Sequence, residues 1–216
     1  MSEKNAACIL VADIASSYAF SALCQKKLKS AFSVDEIVFS ANPEFDSPEI
    51  SAVRGAWIDA LEKKIKNLTE HGQTCHVIAI GAGALVALNA CMHARPDKLC
   101  LINTPLIGVS TMKEQWQIFK ARGKNPETAI LLSEKRLLCL ESADVVREVS
   151  SPTLIIQTET TANQHIESSN FLMNQLGTGQ WMVDKSFFVL PKKKKEEVSE
   201  KDFSSMIKQI SDFFAS

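Results

Sequence analysis

The sequence predicts an α/β protein whose core is a mostly parallel β-sheet with helices on both faces. Apolar runs of strand length alternate with longer segments in which apolar residues recur at helical spacing. The strand-like runs are apolar nearly throughout, which is typical of parallel strands that are buried on both faces. The chain has 216 residues, 45% of them hydrophobic, which is enough to bury the core of one domain.

The predicted elements follow one another in a regular order. Strands are predicted for ACILVADI (7–14), DEIVFSA (35–41), CHVIAI (75–80), KLCLIN (98–103), PTLIIQT (152–158) and SFFVLP (186–191). Helices are predicted over 19–32, 51–70, 82–94, about 164–176, and a last stretch whose apolar stripe begins at Phe203. In such a sheet, ligands bind beyond the carboxyl ends of the strands. The functional loops should therefore follow residues 12, 41, 80, 103, 158 and 190.

The alternation breaks between residues 105 and 146. Segments 113–122 and 127–140 predict two helices with no strand between them. We therefore expect a single domain over 1–216, with a short helical cap inserted at 105–146 and lying over the functional loops.

Composition excludes several classes of function. Lys and Arg total 24 against 25 Asp and Glu, so no general affinity for nucleic acid or an anionic membrane is expected. The longest stretch without a charge, 77–92, is too short for a membrane span. Six cysteines without metal-ligand spacing predict buried thiols in a reducing cytoplasm, and no metal site. No secretory signal is recognised at the start, which also favours a cytoplasmic location, and no cofactor is expected.

The glycine-rich turn in VIAIGAGALVALNA (77–90) has two interpretations. A dinucleotide site requires a third glycine, where this chain has Val86, and an acid at the end of the next strand, which ends in LINTP. A nucleophile elbow requires small residues two positions before and two after the nucleophile, and Ala79 and Gly83 meet that demand. The glycine-rich turn therefore matches a nucleophile elbow better than a dinucleotide site.

In order and spacing the whole chain resembles the α/β-hydrolase superfamily, nearest to small carboxylesterases and monoacylglycerol-lipase-like enzymes. HVIAIGAGALVALNAC resembles their strand, elbow and helix, and KLCLINTPLI resembles the strand that leads into the cap. SSPTLIIQTETTANQHIESSNFLMNQL resembles the strand and loop that carry the acid. FFVLPKKKKEEVSEKDFSSMIKQISDFF resembles the last strand, the histidine loop and the closing helix.

The resemblance implies a Ser-His-acid triad, but the triad positions carry other residues. The serine position falls on Gly81, the acid position on Thr161 and the histidine position on Lys195. Where relatives have a His-Gly pair for the oxyanion, this chain has Ala12-Asp13-Ile14, and a carboxylate there would repel an oxyanion. We therefore expect a catalytically degenerate pseudo-esterase that binds a small acyl or hydrophobic ligand, or a protein partner. The predicted ligand pocket comprises Asp13, Ile14, Gly81, Ala82 and Thr104.

The alternative is a hydrolase or acyltransferase that uses non-standard residues. His165, on the loop after strand 153–158, with Glu159 or with Asp13, would then act as acid or base. Loop serines at 16, 17 and 110 are weaker nucleophile candidates, because such serines usually cap or face solvent. A third interpretation makes Lys192–Lys195 and the cap a docking surface for a protein or an anionic ligand. The oligomeric state is left open.

Gly81 also has a backbone explanation. The residue at an elbow adopts a strained conformation that glycine occupies without a Cβ penalty. Gly81→Ser is therefore expected to be tolerated at a modest cost in stability.

Overall fold

A computed structural model describes residues 6–14, 19–37, 50–106, 118–158, 163–179, 184–190 and 200–216. The strands are β1 (Ala7–Val11), β2 (Val34–Ile37), β3 (Cys75–Ile80), β4 (Lys98–Ile102), β5 (Thr153–Thr158) and β6 (Lys185–Leu190). The helices are α1 (Ala19–Ala31), α2 (Ile50–Glu70), α3 (Gly83–Ala90), α4 (Pro126–Val145), α5 (Asn163–Gln175) and α6 (Glu200–Ala215). Residues 118–122 are also helical, and a 3-10 turn, Val146–Glu148, follows α4.

The six strands form one sheet in the order β2-β1-β3-β4-β5-β6, and every pairing between neighbours is parallel. The chain runs from β1 to β2 on one side and then crosses to β3 on the other side of β1. The strand order therefore reverses between β1 and β3, and such a switch point opens a crevice at the carboxyl edge of the sheet. The predicted parallel α/β class is confirmed.

Alternate side chains of the strands enter two separate cores, because successive residues of a strand point to opposite faces. On one face Ile9, Val77 and Leu101 pack with buried side chains of α2, α3, α4 and α5. On the other face Leu10 and Ile78 pack with buried side chains of α1 and α6. The prediction of helices on both faces is therefore confirmed.

Helix α4 forms the last part of the stretch 105–146 that was predicted to be a cap. It begins at an Asn125 N-cap, whose side chain accepts a hydrogen bond from Thr128 N at 3.1 Å, and a proline follows in the first turn. Its buried Leu138 and Cys139 belong to the same core as α2 and α3. The later part of 105–146 is thus part of the helical layer on the sheet. Residues 107–117 lie outside the described residues, and the cap itself stays a prediction.

A buried ion pair joins α4 to α2. Arg54 donates to Glu134 Oε2 at 3.1 Å and to Glu141 Oε1 at 2.7 Å. The Glu134 side chain is fully buried, and this burial raises the pKa of its carboxyl group, although the charge and hydrogen bond of Arg54 act in the opposite direction. Because removing one partner of a buried pair leaves an uncompensated charge, this contact constrains how α4 sits on α2.

Several boundaries differ from the prediction. Helix α3 ends at Ala90 rather than at residue 94, and turns follow it. Strand β2 is described as far as Ile37, while residues 38–49 lie outside the described part of the chain. Among the described helices, none has the length and apolar character to cross a membrane.

Candidate functional site

The elbow between β3 and α3 lies at the switch point. Gly81 directly follows β3 and has φ +56°, in the left-handed region that glycine occupies at no steric cost. Its N–H donates to the carbonyl of Ile102 on β4 at 2.8 Å, and its carbonyl accepts from Ala84 N at 3.1 Å. Gly81 thus has the left-handed backbone expected of an elbow residue, and as a glycine it carries no Cβ strain there.

Gly83 begins α3 and explains why a small residue is needed there. A Cβ at this position would overlap the carbonyl oxygen of Ala12 and lie 3.0 Å from its carbonyl carbon. The start of α3 therefore touches the backbone at the end of β1. This close contact explains why the elbow pattern in the sequence requires a small residue two positions after Gly81.

Asp13 reaches the elbow from the end of β1. In the register of β1 and β3, Val11 lies opposite Ala79, so Asp13 follows β1 at the level where Gly81 follows β3. The N–H of Ala82 donates to Asp13 Oδ1 at 2.8 Å. A Cβ at Gly81 would lie 2.6 Å from Asp13 Oδ2 and still closer to Oδ1 and Cγ. The carboxylate thus occupies the space that a side chain at position 81 would need.

This contact bears directly on hydrolytic chemistry. In a hydrolase elbow, the backbone N–H of the residue after the nucleophile stabilises the oxyanion. In the resemblance given above Ala82 takes that position, and its N–H donates to the Asp13 carboxylate. The Ala82 N–H and the Asp13 carboxylate are therefore hydrogen-bonded to each other at the elbow.

Thr104 and Asn103 line the same edge at the end of β4. Thr104 is 2% exposed, and its Oγ1 has no hydrogen-bond partner in the described part of the chain. Asn103 has φ +53° and its side-chain oxygen accepts from Thr158 N at 2.8 Å and from Thr158 Oγ1 at 3.1 Å. Because asparagine tolerates the left-handed region better than most residues, it can clamp the ends of β4 and β5 together. No feature of the sequence predicted this clamp.

The structure brings three of the five predicted pocket residues into contact with one another. Asp13, Gly81 and Ala82 are in contact at the elbow, and Thr104 lies two residues beyond Ile102, whose carbonyl holds Gly81. Ile14 is 1% exposed and, like Ala82, is part of the larger core. Their role as ligand contacts stays a prediction.

Other predicted site residues fall outside what is described. Thr161, Lys195 and Glu159 lie outside the described residues, as do the lysine run 192–195 and the serines at 16, 17 and 110. His165 was expected on a loop, but its backbone is in the first turn of α5. Its side chain lies outside the described part, so the pairing with Glu159 stays a prediction.

The remaining titratable groups of interest face the core. All six cysteines are buried thiols outside any disulfide, and burial raises the pKa of Cys24 and of Cys91 to about 12. Such thiols are poor nucleophiles, because the thiolate is the reactive form. His76 stacks on Phe214 with 4.3 Å between ring centroids, and burial lowers its pKa. The described residues hold no group of three or more potential metal ligands.

Comparison with solved structures shows that this chain has the α/β-hydrolase fold. No protein-family model matches the sequence, and no curated protein matches it. The structure is similar to an alpha/beta hydrolase from Sphaerobacter thermophilus, with a TM-score of 0.65 and 12% identity over 97% of this chain and 92% of the other. It is also similar to a Paleococcus ferrophilus monoacylglycerol lipase, with a TM-score of 0.62 and 10% identity over 97% and 95%. A third similar structure comes from work on carboxylesterases of Nitrososphaera gargenis, with a TM-score of 0.67 and 9% identity over 97% and 91%.

Proposed function

We propose that this chain, which has the α/β-hydrolase fold, is a catalytically degenerate member of that fold that binds a small hydrophobic ligand at the elbow without hydrolysing it. The observation that carries the proposal is the hydrogen bond from Ala82 N–H to the Asp13 carboxylate beside a glycine elbow. Esters are the substrates suggested by the esterases and lipases of similar fold. The elbow of this chain supplies neither a side chain at position 81 nor an unengaged N–H at position 82.

Ester hydrolysis by a serine nucleophile passes through a tetrahedral intermediate. Its oxyanion requires hydrogen-bond donors at about 3 Å, and the loss of one donor costs roughly 10²–10³ in rate. The loss of the nucleophile itself removes most of the rate enhancement of a serine hydrolase. An anionic side chain at the same place adds repulsion to both losses. A binding role needs none of these groups.

Two measurements on the purified chain test the proposal. We expect no turnover of 4-nitrophenyl acetate or butyrate above the rate in buffer, and no labelling by a fluorophosphonate probe. An authentic carboxylesterase in the same assay is the positive control. Ester turnover that a fluorophosphonate abolishes would refute the proposal.

The alternative function, a hydrolase or acyltransferase with non-standard residues, predicts activity that fluorophosphonate does not block. His165→Ala would remove such activity while thermal unfolding stays unchanged. The protein-docking interpretation of Lys192–Lys195 and the cytoplasmic location likewise stay predictions. Charge reversal of the four lysines, followed by comparison of co-purifying proteins with those of the unaltered chain, tests the docking interpretation.

A further inference from the structure

Strand β6 forms one edge of the sheet, and one of its faces is apolar and exposed. Phe187 is 41% exposed and Val189 is 47% exposed. Phe188, which points to the other face, packs against the core that α1 and α6 cover. Among the described strands, only β5 pairs with β6. An exposed apolar edge strand is a template for pairing with another chain, and natural proteins commonly guard such edges with charges.

The opposite edge of the sheet is guarded in this way, whereas β6 is not. On β2, two adjacent carboxylates each form an ion pair with a lysine, Asp35 with Lys64 and Glu36 with Lys29. The charged residue of β6 is Lys185, whose ammonium group donates to the carbonyls of Met173 and Leu176 at 2.8 and 3.0 Å. This charge is therefore held at the end of α5 and does not protect the edge.

The backbone of β6 also offers hydrogen bonds at this edge. The N–H of Thr153 on β5 donates to the carbonyl of Asp184 at 2.9 Å, which fixes the alternation along the strand pair. In a parallel pair, successive residues turn their N–H and carbonyl groups alternately towards the neighbouring strand and away from it. Lys185, Phe187 and Val189 therefore direct theirs away from β5, and their side chains share one face.

We propose that β6 pairs with β6 of a second copy of this chain, antiparallel, about a two-fold axis at Phe187. In this register Phe187 lies opposite Phe187 of the second copy, and Lys185 lies opposite Val189. Both are hydrogen-bonded pairs, and no other register pairs these three residues among themselves. Opposite residues of an antiparallel pair share a face, so the exposed side chains of both copies form one apolar surface. The strand is thus complementary to itself, as a two-fold interface requires.

The charges that flank β6 favour this orientation. The lysine run 192–195 begins two residues after Leu190. In the antiparallel register Leu190 lies opposite Asp184 of the second copy, so the two Leu190 residues are about 20 Å apart. The lysine runs then leave at opposite ends of the interface, separated by more than the Debye length of about 8 Å. Each exposed Asp184 lies at the end from which the other copy's lysine run departs, whereas parallel pairing would bring the two runs together.

Opposite charges placed at the axis test this assignment. Phe187→Lys and Phe187→Glu each put two like charges on opposite residues, whose Cα atoms are about 5.5 Å apart in such a pair. We expect the unaltered chain to be a dimer in the micromolar range, and each variant alone to raise the dissociation constant at least about tenfold. An equimolar mixture of the two variants should form a dimer again, because opposite charges then face each other.

Sedimentation velocity of the unaltered chain, of each variant and of the mixture measures these states, at concentrations up to about 100 μM. Ser205→Lys and Ser205→Glu, at an exposed position of α6, are the matched controls for net charge and should leave the dimer unchanged. Thermal unfolding checks that the variants at position 187 are folded, which their exposed position predicts.

Three outcomes would overturn the assignment. A chain that stays monomeric at the highest concentration would exclude the second copy and leave the edge to a strand of another protein. Dimers that persist in both variants at position 187 would place the interface elsewhere. A mixture that stays monomeric would show that Phe187 does not lie at the axis. The proposed lack of serine hydrolysis is judged separately, by ester turnover and fluorophosphonate labelling.

Discussion

Placing a side chain at position 81 is a direct perturbation of the elbow. Gly81→Ser forces an L-residue into φ +56° and drives its Cβ into the carboxylate of Asp13. The carboxylate must then move, and its hydrogen bond to Ala82 N is lost. The modest cost expected from backbone strain alone therefore becomes larger.

The magnitude follows from two contributions. A left-handed conformation costs an L-residue roughly 1–2 kcal/mol. A hydrogen bond to a charged group contributes about 1.5–3 kcal/mol. Gly81→Ser should thus lower the free energy of unfolding by about 2.5–5 kcal/mol, and Asp13→Ala by about 1.5–3 kcal/mol. In the double variant the bond is lost only once, so its cost should equal that of Gly81→Ser alone.

Urea denaturation of the four proteins measures this coupling. Gly72→Ser is the matched control, because Gly72 has φ +68° but no atom within 4 Å of a Cβ placed there. It should cost only about 1–2 kcal/mol and add independently to Asp13→Ala. If Gly81→Ser and Asp13→Ala were additive to within about 0.5 kcal/mol, the argument for a shared space would be wrong.

Three further predictions concern the rest of the fold. Gly83→Ala should severely destabilise the protein, because its Cβ would overlap the Ala12 carbonyl. Gly55→Ala, in open space within α2, should instead raise the free energy of unfolding by about 0.5–1 kcal/mol. Thermal unfolding of the two variants tests this, and equal melting temperatures would contradict it. Burial lowers the pKa of His76 below its usual 6.5, so the unfolded chain binds the proton more readily and the free energy of unfolding should fall as pH drops through this range. His76→Phe should flatten that slope between about pH 7.5 and 5.5, and an unchanged slope would count against it. The six buried cysteines should resist a thiol reagent at pH 8 and all react after unfolding in guanidinium, whereas rapid labelling of the native protein would contradict the burial.

Much of the fold could be predicted from the sequence because it depends on local periodicity. Apolar runs gave the strands, and helical spacing gave α2 and α6, since burial of one face imposes these patterns. The elbow was recognisable because Ala79 and Gly83 satisfy a steric demand that acts within five residues.

The contacts that define the site are not local, and for that reason the sequence did not show them. Asp13 and Ala82 are 69 positions apart, and their contact depends on β1 lying beside β3 with Val11 opposite Ala79. Arg54 and Glu134 are 80 positions apart, and nothing in the spacing of the two helices predicts their pairing. Such contacts follow only from strand order and from how each helix crosses the sheet.

The overlap between Asp13 and a side chain at position 81 also constrains the mutational routes open to this chain. A serine at position 81 cannot be introduced first without displacing the carboxylate, and loss of the carboxylate first leaves a glycine that has no nucleophile. Each single step lowers stability before either could bring a catalytic benefit. The two positions are therefore coupled, so that a serine at position 81 requires a paired change at position 13.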